Sequence, residues 1–591
     1  MKTVYHTIVI GTGCAGYHAA ERLWMLGVRD IAILTEGRTM GTSRNTGSDK
    51  QTYYKLSLAG GDGDSVREMA QTLYDGGGVM GETALIEAAY SARCFMHLVE
   101  LGVPFPTNAY GEYVGYKTDH DPRSRATSCG PLTSKFMTEA LEKSVMDKNI
   151  PILNGYLAIK ILTENKRVRG LVVLDTDTQE TLVFSCCNMI LCTGGAPCVY
   201  QNTVYPESQH GSLSLAIDAG ALMSNLDQWQ YGIASVGFRW NLSGSYQQVL
   251  PRYISIDENG VEREFLYEAL GIESLSLTFL KGYQWPFDVR KIEGSSKIDL
   301  LVATEIAQGR RVYLDFTQNP LGWDEQTFSS LDPEAYQYLH NSDCLFGTPV
   351  DRLKKLNLKA IELYASHGID LASDKLEIAV CAQHINGGVA VDEHWESTVT
   401  GLYAAGEAAG TFGVYRPGGS ALNATQVGSL RAAEHIASKE YKIPEPVRFD
   451  SPLLPSQGTI SPEDVSLEVR RAMSLHASFQ RSPQSMHTVL NTVQKYLALM
   501  SNISSSDLPA WYRLRDQLIT TKAVLSAMLC SALEIGSHGS ALVCGPEAKH
   551  FEGIRHTRTV TSPDGSYIET VTPIPEGELW FETVLSQQKY T

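Results

Sequence analysis

The chain opens on residues spaced to hold a phosphate. The apolar run Thr7-Ile8-Val9-Ile10 leads straight into Gly11-Thr12-Gly13-Cys14-Ala15-Gly16, a G-x-G-x-x-G turn. Gly11 permits the tight turn, Gly13 lets backbone N–H groups approach a pyrophosphate, and Gly16 lets the following helix sit close to the strand. The N-terminus of that helix then faces the phosphates. A second apolar run, Ile31 to Leu34, ends near Glu36. That acid lies about twenty residues beyond the last glycine, where a dinucleotide-binding β-α-β unit places its ribose-binding carboxylate. An acid here suits a free 2′-hydroxyl and repels a 2′-phosphate, so FAD or NAD is favoured over NADP.

Other residues have the types that redox chemistry needs. The run Asn188 to Cys192 ends in Thr193-Gly194-Gly195, the shape of a second backbone approach to a cofactor. His384 stands just before Gly387-Gly388; histidine titrates near neutrality and can accept or donate a proton. Arg416 has a planar fork suited to a carboxylate or phosphate. Leu250-Pro251-Arg252-Tyr253 and Gly282 to Asp288 combine aromatic faces with polar tips. They would suit a polyol, a sugar-like ring or a flat heterocycle better than a small dicarboxylate, unless the aromatics only build a local core. Arg310-Arg311 before Val312 reads as a structural flank of a strand.

These residues need elements to position them. After the glycine turn, Ala15, Ala19, Leu23 and Leu26 share one helical face. Periodicity predicts a helix over Thr83 to Leu101 and strands near Ala158 to Leu162, Leu171 to Leu174 and Thr181 to Ser185. Between about Leu226 and Thr348 aromatics become dense and β-α-β alternation is lost, which marks an inserted domain. The parallel-fold texture returns at Gly401 to Glu407. Pro444, Pro446, Pro452 and Pro455 mark a linker, and Pro462 to about Leu533 reads as helices that bury apolar faces on each other.

Composition sets outer limits. The 591 residues have a formal net charge of -17, which argues against a nucleic-acid binder and disfavours an anionic membrane surface. No apolar run reaches the roughly eighteen residues of a membrane span. The N-terminus runs directly into a strand, so no signal peptide is expected. The eleven cysteines form no C-x-x-C pair, so neither a metal site nor an intrinsic iron–sulfur cluster is expected. Scattered free thiols fit a reducing cytoplasm.

Taken in order, the Gly11–Gly16 turn, Thr193-Gly194-Gly195, Gln383-His384-Ile385-Asn386-Gly387-Gly388, Tyr403-Ala404-Ala405-Gly406-Glu407 and Tyr415 to Asn423 resemble the flavoprotein subunit family of fumarate reductase and succinate dehydrogenase. That family also holds L-aspartate oxidase and adenylylsulfate reductase. The similarity covers nearly the whole chain. It implies an α/β fold: a discontinuous Rossmann-like FAD-binding domain over 1–230 and 350–445, an inserted α+β capping domain over 231–349, and a C-terminal helical domain over 446–591. It implies an active site at the seam between cap and flavin. Gly11, Gly13, Gly16 and Glu36 then hold the FAD pyrophosphate and adenosine ribose. Thr193, Gly194, Gly195 and Glu407 match further FAD contacts. Ser420, Ala421 and Leu422, with Asn423, match the segment whose backbone meets the isoalloxazine carbonyl edge. His384 and Arg416 match the family's substrate-carboxylate clamp.

The departures concern the substrate side. The family's histidine for covalent FAD attachment lies in an S-H-T segment; here Ser43-Arg44-Asn45-Thr46 puts Arg44 in its place, so FAD should be bound non-covalently. H-P-T-G is replaced by Gln230 to Ser235. R-G-E-G-G, whose arginine delivers the proton in fumarate reduction, is missing: Val249 falls at that position, with Arg252 three residues later. The expected function is a soluble FAD-dependent oxidoreductase that passes hydride between flavin N5 and a small polar organic substrate. The alternatives are a fumarate-type dicarboxylate reductase with Arg252 as a displaced acid, and a non-enzymatic FAD-fold binding protein of the kind the GDP-dissociation inhibitors represent. A separate electron-transfer subunit, dioxygen and a quinone all stay open as the electron partner.

Overall fold

The computed structural model describes residues 2–61, 63–324, 328–449, 458–546, 548–577 and 581–587. Thr7–Ile10 is the centre of a five-stranded parallel sheet ordered Leu402–Ala404, Asn188–Leu191, Thr7–Ile10, Ile31–Thr35, Ile152–Asn154. Every residue of Thr7–Ile10 and Ile31–Thr35 is buried, as strands covered on both faces require. Helix Cys14–Met25 packs on Thr133–Asp147 and Ser420–Ser438. It ends before Leu26, which is 42% exposed, because Gly27 turns the chain at φ +96°. The helix expected over Thr83 to Leu101 is Gly81–Glu100. The three expected strands are Tyr156–Glu164, Arg167–Asp175 and Thr181–Ser185, paired antiparallel.

The aromatic insert is built on a second, antiparallel sheet ordered Trp240–Asn241, Trp229–Ser235, Leu376–Ile385, Arg311–Asp315, Arg252–Ile256, Glu262–Arg263. Trp240, Tyr246 and Tyr253 are buried in its core with Phe265, Val302 and Leu314. Leu353, Ala360, Tyr364 and Leu371 lie in that same core. Helices Pro349–Leu356 and Leu358–Ser366 thus bury their apolar faces on the insert, beyond the expected boundary at 349. Leu376 and Ile378 belong to the insert's core and Ile385 to the first. One strand therefore runs from cap to parallel-sheet domain, and His384 sits at its far end.

Pro444 and Pro446 lie in a stretch without regular structure after helix Ser420–Ser438; Pro452 and Pro455 lie outside the described residues. Helices Pro462–His476, Pro483–Ala498 and Leu508–Glu534 then pack on one another. Each begins with a side-chain cap, from Ser461, Ser482 and Asp507, and a proline in its first turn. Val469, Val493 and Met528 are continuous with the core of the parallel sheet. The hairpin Thr557–Ser562 and Gly565–Thr570 returns to pair with Met223–Ser224, which also pairs with Gly388–Val389. The end of the chain thereby braces the segment just after His384. Among the described residues no helix is long and apolar enough to cross a membrane.

Candidate active site

A cavity of about 450 Å³ runs along the seam between the two sheets. Gly11, Gly13, Glu36 and Ser43 line it on one side of the seam, and Gln230, Tyr283, Trp285, Gln383, His384 and Arg416 on the other.

The glycine turn separates two needs. Gly11 sits at φ +112°, and a Cβ there would run into Cys192 O; a Cβ on Gly16 would run into Gly11 O. Gly13 has an ordinary φ, and a Cβ on it would meet nothing closer than Ser43 Oγ at 3.1 Å. The protein needs Gly11 and Gly16 for its own packing. Gly13 leaves room for something that the protein itself does not supply. Gly13 caps helix Cys14–Met25 without a side chain, so donors at the helix start are left for an anion. Ser43 Oγ accepts from Cys14 N at 3.3 Å beside them. Glu36 lines the same end and is ion-paired with Arg513.

Thr193, Gly194, Glu407, Ala421 and Leu422 line the cavity between its two ends. Gly195 and Ser420 do not. A Cβ on Gly195 would lie 2.7 Å from the Glu407 carboxylate, so this glycine seats Glu407. Ser420 starts helix Ser420–Ser438, and its Oγ, like Thr193 Oγ1, is buried with no partner among the described residues. Glu407 accepts from Tyr205 Oη, and from Ile385 N at 3.0 Å. Burial pushes its carboxyl up to about 7, against the pull of those donors and of Arg416.

The cap end depends on a bulge. Gln230 pairs with His384, but Tyr231 pairs with Ala382, so Gln383 is the extra residue. Neighbours on a regular strand point to opposite faces; the bulge allows Gln383 and His384 both to line the cavity. Asn386 Nδ2 donates to Gly413 O at 2.9 Å, which turns Asn386 Oδ1 toward His384 Nδ1 at 3.0 Å. That network assigns the proton to Nδ1 and leaves Nε2 as an acceptor. Nε2 is buried without a hydrogen bond, 3.7 Å from Glu407 Oε1. Burial and the nearby Arg416 hold the imidazole well below its ordinary pKa, so it is neutral. Phe412 meets the His384 ring edge-on at 4.8 Å and lies under the Arg416 guanidinium at 5.9 Å. Burial lowers Arg416 to about 10, which still leaves it a cation at neutral pH. Arg416 Nε, Gln230 Oε1 and Gln383 Oε1 are likewise buried without partners among the described residues.

Arg252 is a correction. It does not line the cavity. Glu262 at 2.8 Å, Glu264 at 2.9 Å and Asp315 at 3.3 Å hold its guanidinium within the insert, so it has no reach to a substrate. Val249 is buried in the insert's core, and Leu250 to Tyr253 build the insert rather than the site. Of Gly282 to Asp288, Gly282, Tyr283, Trp285 and Pro286 line the cavity. Arg310 is tied to Asp257 and Glu305. Arg44 pairs with Glu142 at 2.7 Å and is also absent from the cavity wall. Sequence reading missed Tyr205, and also Lys117, Asp119 and His120, which line the cavity, Asp119 as the ion-pair partner of Lys291 of the insert at 2.9 Å. His120 holds the left-handed region at φ +61°, a strain common at functional sites. Only its residue type, among charged neighbours, could have marked it.

The model of the FAD binding domain family matches residues 6–422. The chain belongs to that family. FAD is its cofactor, and the chain is an FAD-dependent oxidoreductase. The cradle at Gly13, the backbone donors at the helix start and the Thr193 hydroxyl, which has no partner among the described residues, fit that group. A fumarate reductase (CoM/CoB) subunit of Methanothermobacter marburgensis is 24% identical over 566 residues, spanning 90% of this chain and 93% of the relative. L-aspartate oxidase 2 of Ralstonia nicotianae is 23% identical over 509 residues, 83% of each chain. Among solved structures, FrdA of E. coli quinol fumarate reductase is similar at TM-score 0.70 and 16% identity over 97% of each chain. The fold of the family's fumarate reductases is thus the fold of this chain.

Proposed function

We propose that this chain transfers a hydride between FAD and a small polar organic substrate held where the insert meets the parallel-sheet domain. One observation supports it above the rest. His384, Arg416, Gln230 and Gln383 line one cavity, and each has a buried polar atom (Nε2, Nε, Oε1 and Oε1) without a partner among the described residues. Buried polar atoms left unpaired cost free energy, and a substrate rich in oxygen or nitrogen would satisfy them. Bound FAD supplies the two-electron chemistry, exchanging a hydride at flavin N5. His384 accepts a substrate proton at Nε2 and returns it in the reverse direction, with Asn386 fixing the ring. Arg416 orients an anionic or carbonyl oxygen through its planar fork. Tyr283 and Trp285 wall the site with aromatic faces, which suits a polyol, a sugar-like ring or a flat heterocycle.

Fumarate reduction is the weaker reading, because Arg252 is committed to three carboxylates. FAD is held non-covalently in this proposal: Arg44 stands where the linking histidine is expected and turns to Glu142. A separate electron-transfer protein handles the electrons, by analogy with the Methanothermobacter relative, whose name makes it one subunit of a larger enzyme. The eleven cysteines are all free, which supports a reducing cytoplasm. The test is anaerobic: a metabolite panel is added to the purified holoprotein and flavin absorbance is followed. A metabolite that bleaches wild-type flavin and fails with His384→Asn supports the site. Bleaching that His384→Asn and Arg416→Lys leave unchanged overturns it.

A further inference from the structure

Glu36 and Arg513 are 477 residues apart in sequence, yet they form an ion pair at the wall of the cofactor cavity. Arg513 belongs to the C-terminal helix Leu508–Glu534. Its Nε is buried and has no partner among the described residues. Two more residues of the same helix turn reach the parallel-sheet domain. Arg515 pairs with Asp218 at 2.7 Å, and Asp516 Oδ1 accepts from Ser214 N at 3.0 Å. A small cavity lies against this contact, lined by Arg513, Asp516, Leu157, Ala158 and His210; the last three also line the main cavity. The helix is therefore the outer wall where the adenosine half of the cofactor is expected.

We infer that Arg513 is a cofactor-site residue supplied by the C-terminal helices, holding Glu36 in place for the adenosine ribose and making FAD retention and helix docking one linked equilibrium. The physical grounds are charge and geometry. A carboxylate has acceptor sites for a guanidinium and for ribose hydroxyls together. A pyrophosphate beside a lone carboxylate would meet like charge, in a chain whose net charge is already -17, whereas the glycine turn offers only backbone donors and a helix dipole. Arg513 neutralises the acid and, through its fork, fixes its direction. Linkage then requires reciprocity: what FAD gains from a docked helix, the helix gains from FAD.

The inference rests on Glu36 being the ribose acid, and the experiment separates the two. The rate of FAD release from diluted holoprotein, read by the rise in flavin fluorescence, is compared for wild type, Glu36→Gln, Arg513→Gln, Arg513→Lys and the double variant Glu36→Gln/Arg513→Gln. Arg513→Gln should speed release roughly tenfold to a hundredfold, the size of one lost charge-assisted hydrogen bond. Arg513→Lys should recover part of that, and the double variant should be no faster than Glu36→Gln. Added FAD should slow amide exchange in Leu508–Glu534 in wild type and less so in Arg513→Gln. Normal release from Glu36→Gln would overturn both the ribose assignment and the inference. Fast release from Glu36→Gln, with Arg513→Gln normal, tighter or fully additive, would overturn the inference alone. If Arg513→Gln does not fold, Arg513→Lys decides by the same comparison with wild type.

Discussion

The two ends of the cavity are made by different means. The proposed phosphate end is a local structure: a strand, a turn and a helix within the first twenty-five residues, with the backbone as the working surface. The proposed substrate end is assembled from distant segments. Gln230 meets His384 across a strand pair, a bulge at Gln383 redirects the pattern, and Tyr283 with Trp285, and Arg416, arrive from two further stretches. The first end depends on where atoms are missing, the second on which side chains are left unpaired. A change at the first should therefore act through sterics and cofactor retention, and one at the second through chemistry in a protein that stays folded.

The largest effect should come from the glycines, and it should split them. Gly16→Val places side-chain atoms against Gly11 O and should abolish soluble protein, because the helix cannot move off its strand. Gly13→Ala meets only Ser43 Oγ, so it should fold with a near-normal melting temperature yet purify with little flavin, measured as the ratio of flavin to protein absorbance. A Gly13→Ala protein that keeps full FAD would erase the distinction between the ends.

Next come the substrate-side residues. His384→Asn should slow flavin reduction by substrate by about a hundredfold or more, the ordinary range for a lost general acid or base. Arg416→Lys keeps charge but loses the fork, so it should raise KM. Stopped-flow absorbance gives the first and steady-state kinetics the second. Both variants should stay yellow. Loss of FAD in both would make this end structural too.

Glu407 lies between the ends and gives a smaller, pH-dependent effect. Its carboxyl is raised to about 7 in the folded protein, above the ordinary value of a free glutamate. A raised group contributes stability that is fully present below the unfolded pKa and is lost as pH rises through the folded one. The apoprotein should thus lose at most about 3 kcal/mol relative to Glu407→Gln between pH 4.5 and 7. Paired thermal melts across that window measure it. A constant difference in melting temperature would show that Glu407 titrates normally.

The smallest effect on the cavity should be that of Arg252→Ala. It removes the partner of three carboxylates and should lower the insert's stability. FAD occupancy and hydride transfer at permissive temperature should not change. A loss of turnover without a loss of stability would return Arg252 to the site.

The same contrast explains what could be read from the sequence. The turn, the place of Glu36 on the cavity wall and the parallel strands were legible because their signals are local: period, glycine spacing, a fixed distance along the chain. Gly195 and Ser420 carried the motif but stand just behind the wall, since a motif marks a backbone path rather than the side that faces a ligand. Arg252 was misplaced because counting along a strand cannot show three carboxylates gathering from Glu262, Glu264 and Asp315. The cap boundary at 349 failed to anticipate that Leu353 to Tyr364 would find their apolar partners in the insert. Tyr205 and Arg513 had no local signal, as long-range packing brings Tyr205 to the cavity and Arg513 to Glu36 on its wall, and His120 offered only its residue type.

The C-terminal hairpin has a consequence for biosynthesis. Thr557–Ser562 supplies the strand that Met223–Ser224 pairs with on its second edge, next to Gly388–Val389. A chain made from its N-terminus at about 5–20 residues per second emerges with the turn, the parallel strands and the insert long before that strand exists. Met223–Ser224, which flanks the segment just after His384, therefore gains its second partner strand only after Thr557–Ser562, and helix Leu508–Glu534 with Arg513 before it, have left the ribosome.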